Sequence, residues 1–255
     1  MTKYELMRWL TFPIMPVHLQ TVRHHIKRLV KETTKNNDVM KILDVGGRKS
    51  PYTIGIDAEI TLLDVPQEAG TREALHLGFT QDILTTIQKK RSNIKDLLIQ
   101  DMTQSTIDEA SYDAVISVEV IEHIVEDELF VKNIFKVIKP GGWAYLTTPN
   151  GDYIKNIGPD KNPDHVRHYT KEQLQSTLES YFDRVEVFYA VKTGKYRVQG
   201  LKSYSFDKPL RTIKSIFANI INSYQSKGVA KSARRTAHLI AIAYKGEYSY
   251  GKQPT

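Results

Sequence analysis

The stretch Lys41-Ile42-Leu43-Asp44-Val45-Gly46-Gly47 constrains this 255-residue chain more than any other. An apolar run leads to an acid and then to two glycines. The run suits a buried parallel strand. The glycines suit a tight turn, since Gly46 and Gly47 can take positive φ and leave room for a ligand where a side chain would block it. A carboxylate beside such a turn suits a ligand with a cationic or hydroxyl-bearing group better than a bare phosphate. Over seven residues alone, an ordinary strand ending in a glycine turn would look the same.

Later segments repeat the pattern. Ile60-Thr61-Leu62-Leu63-Asp64 is a second apolar run ending in an acid, and Leu97 to Met102, with Asp101, is a third. Tyr112 to Val118 is a fourth, Gly142 to Thr148 a fifth behind Lys139-Pro140-Gly141, and Asp183 to Val191 a sixth. Stretches that can be helical separate most of them. Such alternation predicts an open, mostly parallel α/β sheet with its ligand at the carboxyl ends of the strands.

The ordered series Ile42 to Gly47, Asp64, Asp101-Met102, Tyr112-Asp113 through Glu119 and Glu122-His123, and Lys139-Pro140-Gly141-Gly142 resembles the class I S-adenosylmethionine-dependent methyltransferases. The resemblance covers roughly residues 38 to 190, and a strand at His238 to Tyr244 completes it. It implies a doubly wound, mostly parallel, seven-stranded Rossmann-like sheet. It also implies that S-adenosylmethionine binds at Asp44, Gly46 and Gly47, with its ribose on Asp64. The adenine would meet Asp101 and Met102, and Glu119 would line the methionine end. One departure is visible: where the family's loop carries further spaced glycines, this chain has Arg48 and Ser50, then Pro51-Tyr52.

No cysteine is present, which excludes disulfides, thiolate metal sites and a cysteine nucleophile. No signal peptide opens the chain and no apolar run is long enough to span a bilayer. The expected location is the cytoplasm. The net charge of +7 is unevenly placed. Residues 1–41 carry eight Lys/Arg and three Asp/Glu, and residues 195–255 carry twelve and two, so the middle is acidic. Basic flanks suit an anionic partner such as nucleic acid, a phosphorylated carrier or a membrane surface, unless they merely neutralise the core.

Four segments are expected: a helical N-terminal cover over 1–40, the cofactor-binding core over 41–194, a basic helical insertion over 195–236, and the last strand and tail over 237–255. In the first, Pro13 and Pro16 interrupt any continuous helix, and Val17 to Lys31 repeats apolar residues at helical spacing. In the insertion, Leu210, Ile213, Ile216, Phe217, Ile220, Ile221 and Tyr224 form an apolar stripe flanked by Lys208, Arg211 and Lys214. Such a stripe most often packs on its own domain or a second subunit. As a basic amphipathic helix over 208–224 it also admits contact with an anionic membrane surface.

Glu119, Glu122 and His123 would share one face if the backbone turns helical there. With His165 they make a candidate divalent-metal set. Some relatives by resemblance, small-RNA ribose and quinone-ring O-methyltransferases, use such a set; many others carry Glu-His here with no metal, and that second reading is favoured. Methyl transfer needs chiefly alignment, because the sulfonium is already activated. A hydroxyl acceptor must also lose a proton, and a histidine suits that task. His123, His165 and His168 are the candidate bases, with Arg48 and Arg167 facing the acceptor. Thr170 with Gln173 matches a capping box, so the neighbouring His168-Tyr169 is partly structural. The expected activity is O-methylation of a hydroxyl on a small molecule or sugar. A metal-dependent RNA 2′-O-methyltransferase and a non-catalytic cofactor-binding protein are the alternatives. A nicotinamide oxidoreductase fits poorly, because the glycine spacing is wrong for it.

Overall fold

Seven strands form one sheet in the computed structural model, which describes residues 2–34, 38–47, 50–65, 81–159, 161–202 and 208–247. They are β1 (Lys41–Val45), β2 (Glu59–Asp64), β3 (Ile94–Ile99), β4 (Tyr112–Val118), β5 (Ile138–Pro149), β6 (Arg184–Lys192) and β7 (Thr236–Tyr244). Their order across the sheet is β3-β2-β1-β4-β5-β7-β6. The first five pair in parallel, and β7 runs antiparallel to both its neighbours. The chain therefore starts mid-sheet, winds outward to β3, and returns to the other side of β1. The resulting switch between β1 and β4 is where an open α/β sheet leaves a crevice.

Alternation along the strands builds two cores. Ile42, Ile60, Leu62, Ile116, Trp143 and Ile240 face one side, and Leu43, Leu63, Val115, Ala144, Leu146 and Leu239 face the other. Helix α2 (Val17–Thr33) covers the first face through Val22, Ile26 and Leu29. It starts directly after Pro16, behind α1 (Lys3–Thr11) and a short turn at Phe12–Ile14. Helix α3 (Gln81–Lys90) leads into β3. Helices α4 (Asp127–Val137) and α5 (Lys171–Glu179) cover the second face through Phe130, Val131, Ile134, Leu174 and Leu178. Thr170 and Gln173 cap α5 reciprocally, as the sequence signature requires.

Two strands differ from the sequence reading. β3 runs from Ile94 to Ile99, so Asp101 lies beyond the strand and caps the short turn Met102–Gln104. β5 begins at Ile138, because Ile138 pairs with Tyr112. Residues 50–58, between β1 and β2, form turns where this architecture would otherwise place a helix.

The third correction concerns the insertion, which holds α6 (Lys195–Gly200) and α7 (Pro209–Gln225). The apolar stripe of α7 does not pack on the domain. Its buried residues are Ser215, Ala218, Asn219 and Asn222. Ser215 donates to the carbonyl of Gly200 at 3.1 Å, Asn219 to that of Ile14 at 3.0 Å, and Asn222 to that of Lys192 at 2.7 Å. Leu210, Phe217 and Tyr224 point outward, 74%, 61% and 74% exposed. The helix is docked by hydrogen bonds from small polar side chains, and its hydrophobic face is left over. Asn219→Ala should therefore cost about 1–3 kcal/mol of stability, because the carbonyls of Ile14 and Gly200 both lose a buried donor, whereas Phe217→Ala should change stability by less than about 0.5 kcal/mol. Urea unfolding of the two variants measures the contrast.

Candidate functional site

The carboxyl ends of the parallel strands share one edge, and that edge gathers the residues singled out in the sequence. Gly46 follows β1, Asp64 ends β2, Asp101 lies just past β3 and Glu119 follows β4. Gly46 has φ +73°, its N–H donates to the Leu63 carbonyl at 2.8 Å, and a Cβ there would stand 2.6 Å from the Val120 side chain. A Cβ on Gly47 would stand 2.6 Å from the Asp44 carboxyl carbon. Both positions thus need glycine for close approach, the first also for its left-handed backbone.

Asp44 is wholly buried. Its carboxylate accepts hydrogen bonds from the hydroxyls of Tyr52 and Thr53, each at 3.2 Å. Arg91 donates to the Ser50 carbonyl at 3.1 Å and the Thr53 hydroxyl at 2.5 Å. Burial raises the Asp44 pKa to about 6, against the opposing pull of these hydroxyls and of Arg91. The acid expected to touch cofactor instead organises the returning loop from within. Met102 is corrected in the same way: its side chain is 2% exposed and belongs to the same core as Leu63 and Val45. Asp64 is half-buried and accepts from the N–H of Val65 at 2.9 Å. Asp101 is exposed, with one oxygen accepting from the N–H and hydroxyl of Thr103 at 2.8 and 2.9 Å. Arg48 lies outside the described residues.

A cavity of about 590 Å³ opens at the β1–β4 switch, lined among others by Met15, His18, Gly46, Tyr52, Val118 and Glu119. Glu119 has φ +55°, unusual for a residue with a side chain. Its carboxylate accepts from the Thr147 hydroxyl at 2.9 Å and from His238 Nδ1 at 3.2 Å. Arg197 donates to His238 Nε2 at 3.0 Å. Since arginine only donates, Nε2 carries the lone pair and Nδ1 the proton. Burial opposes ionisation of Glu119, but His238, His18 and Thr147 outweigh it and hold its pKa below the ordinary carboxylate range. His18 stacks on His238 with ring centroids 4.0 Å apart, and its Nε2 lies 3.8 Å from Glu119 Oε1. Both His18 ring nitrogens are buried with no hydrogen-bond partner among the described residues.

The three histidines expected as bases lie in a second group. His123 donates from Nδ1 to the Asp164 carbonyl at 2.8 Å. His168 donates from Nδ1 to the Ile154 carbonyl at 2.7 Å, so its Nε2 accepts from His165 Nδ1, also at 2.7 Å. His168 spends both nitrogens and is not free to act as a base, whereas His123 and His165 each keep a lone pair on Nε2. One donor atom from each of Glu122, His123 and His165 lies within 4.8 Å of the others. Both Glu122 oxygens are buried without a hydrogen-bond partner among the described residues, and burial together with the charge of Glu119 pushes its pKa well up. Two imidazoles and an orphaned carboxylate fit a divalent cation. The four-residue set is nevertheless split: Glu119 belongs with His18 and His238, because the backbone forms only a short turn at Ile121–His123. Arg167 is also corrected. It pairs with Asp127 at 2.5 Å and donates to the Val125 carbonyl at 2.8 Å, tying the loop to the start of α4.

Residues 18–182 match the methyltransferase-domain family. This chain is a class I S-adenosylmethionine-dependent methyltransferase family member. The domain is 28% identical over 163 residues to the mitochondrial ubiquinone biosynthesis O-methyltransferase of Bos taurus, and 29% over 156 residues to that of Dictyostelium discoideum. These alignments cover 55% and 56% of this chain and 40% and 48% of the relatives, so the chain spans less than half of either. Among solved structures it is similar to an S-adenosylmethionine-dependent methyltransferase from Archaeoglobus fulgidus, with TM-score 0.54, 14% identity, and 89% and 94% of the two chains covered. It is equally similar to the [4+2]-cyclase SpnF, with TM-score 0.54, 17% identity, and 87% and 81% covered. A cyclase on this architecture underlines that such likenesses establish the fold alone.

Sequence reasoning missed His18, Arg91, Arg197 and the role of His238 in this methyltransferase domain. Only His238 left a signal, as an ionisable group in the otherwise apolar run that ends at Ala243. The raised Asp44 pKa has a measurable consequence. Between the ordinary carboxyl value and about 6 the native state binds more protons than the unfolded chain, so stability falls as pH rises through that window. The loss is on the order of 3 kcal/mol. Asp44→Asn should flatten it, which melting temperatures between pH 4 and pH 7 would reveal.

Proposed function

We propose that this domain transfers the methyl group of S-adenosylmethionine to a hydroxyl on a small molecule or sugar. The observation that carries the reading is the cavity at the β1–β4 switch. Gly46 of the β1 turn and an ionised Glu119 both line it, and the acids Asp64 and Asp101 stand along the same strand edge. Gly46 and Gly47 let the backbone approach the cofactor. Asp64 accepts from the ribose hydroxyls, the free oxygen of Asp101 takes the adenine amino group, and Glu119 faces the methionine end. The cofactor supplies an electrophilic methyl carbon, so the residues need only align the acceptor and receive its proton. The relatives named for O-methylation in ubiquinone biosynthesis support a hydroxyl acceptor over an amine. If a divalent cation binds, Glu122, His123 and His165 hold it; it would lower the pKa of a hydroxyl brought to it.

The outward face of α7 supports contact with an anionic membrane surface. No acid lies between Lys208 and Tyr224, while Lys208, Arg211 and Lys214 border the exposed apolar residues. Two copies pressed face to face would bring like charges together, whereas anionic lipid would neutralise them. The chain should float with vesicles containing phosphatidylglycerol and stay behind with pure phosphatidylcholine. Phe217→Asp should abolish flotation.

Calorimetric titration with S-adenosylhomocysteine tests the cofactor site. Asp64→Ala should weaken binding tenfold or more, since hydrogen bonds to a carboxylate are worth roughly 1.5–3 kcal/mol. No binding to the unaltered protein would overturn the reading.

A further inference from the structure

His18, which lines the cavity beside Glu119, has ring nitrogens that neither the cofactor reading nor the fold uses, and a buried polar group stands behind it. His18 comes from the first turn of α2, Glu119 from the end of β4, His238 from β7 and Arg197 from α6. The strand order gives this group a side. Asp64 and Asp101 lie towards β2 and β3, where the nucleoside would be held. Thr147 and His238 lie across the switch, towards β5 and β7. A second ligand beside the methyl donor would meet this half.

Two imidazoles and a carboxylate also satisfy the bare geometry of a metal site. The hydrogen bonds argue against that use. Arg197 fixes the lone pair of His238 on Nε2, so Nδ1 presents a proton, not a lone pair, to anything near Glu119. A guanidinium 3.0 Å from the imidazole also repels a cation. Besides Arg197 Nε, the polar atoms of this group left without a hydrogen-bond partner among the described residues are those of His18. A neutral imidazole has one donor and one acceptor, and here both are buried, unpartnered and at a cavity wall. Leaving such groups unsatisfied is costly, and a bound hydroxyl would satisfy one of them.

We propose that His18, backed by Glu119, holds the acceptor's hydroxyl and takes its proton during methyl transfer. This rests on the methyltransferase reading above and assigns the base to His18, not to the loop histidines. The acceptor oxygen forms its bond to the methyl carbon as the sulfur–carbon bond breaks, with that electron pair going to sulfur. The hydroxyl proton passes to the lone pair of His18, and the imidazolium so formed faces the Glu119 carboxylate. That proton passes to solvent after the product leaves, which returns His18 to the neutral imidazole. Burial, the neighbouring His238 and Arg197 push the His18 pKa down to about 3, against the opposing charge of Glu119, so the lone pair is available at neutral pH. A weak base suffices, because the oxygen becomes oxonium-like as the new bond forms and its proton becomes strongly acidic.

The test uses the full chain saturated with S-adenosylhomocysteine, ¹⁵N-labelled at histidine, with catechol as the hydroxyl probe. His18 resonances are assigned by their absence in His18→Phe, which retains a ring to stack on His238. At neutral pH, His18 should give the pattern of a neutral imidazole, and catechol should move its unprotonated nitrogen upfield. His18→Phe should weaken catechol binding about tenfold, the worth of one hydrogen bond, with S-adenosylhomocysteine affinity unchanged. A protonated His18, a resonance indifferent to catechol, no catechol binding, or equal catechol affinity in His18→Phe would each overturn the proposal. If S-adenosylhomocysteine itself failed to bind the unaltered protein, the underlying reading would fall instead.

Discussion

Glu119 is the point at which the separate parts of this molecule meet. It sits in a left-handed backbone conformation directly after β4, and its N–H donates to the Thr147 carbonyl at 3.0 Å. Its carboxylate draws in the hydroxyl of Thr147 from β5 and the imidazole of His238 from β7. His238 in turn holds Arg197 from the insertion, and His18 of the N-terminal cover stacks upon it. One ionised carboxylate thus links the cover, the central strands and the insertion around a single cavity. A backbone strained in this way persists only where surrounding contacts over-determine it, and here they do.

The loop after β1 solves a related problem with different means. With turns in place of a helix between β1 and β2, the returning chain needs internal support. Asp44, Tyr52 and Thr53 supply it with hydrogen bonds, and Arg91 reaches across from beyond α3 to close the network. The cost is a buried carboxyl held at the edge of ionisation.

The insertion follows another logic. Its longest helix docks through Ser215, Asn219 and Asn222, whose short side chains donate to the backbone carbonyls of Gly200, Ile14 and Lys192. Hydrophobic periodicity located the helix correctly but pointed to the wrong face. Periodicity reports that one side is apolar; it cannot report whether the domain or something outside it receives that side.

Much of the fold was legible because strand positions follow from local signals. Buried parallel strands announce themselves as apolar runs, glycines mark the β1 turn, and Thr170 with Gln173 marks a helix start. The sequence by itself determined the α/β architecture, the family, and the positions of Gly46, Asp64, Asp101 and Glu119 on one edge, since each lies at the end of its own strand. Only the tertiary structure decided what these residues touch. It withdrew Asp44 and Met102 into the interior, turned Arg167 towards Asp127, separated Glu119 from Glu122, and brought His18 and His238 together from positions 220 residues apart. Hydrogen-bond partners and burial depend on chain segments distant in sequence, and no local pattern encodes them.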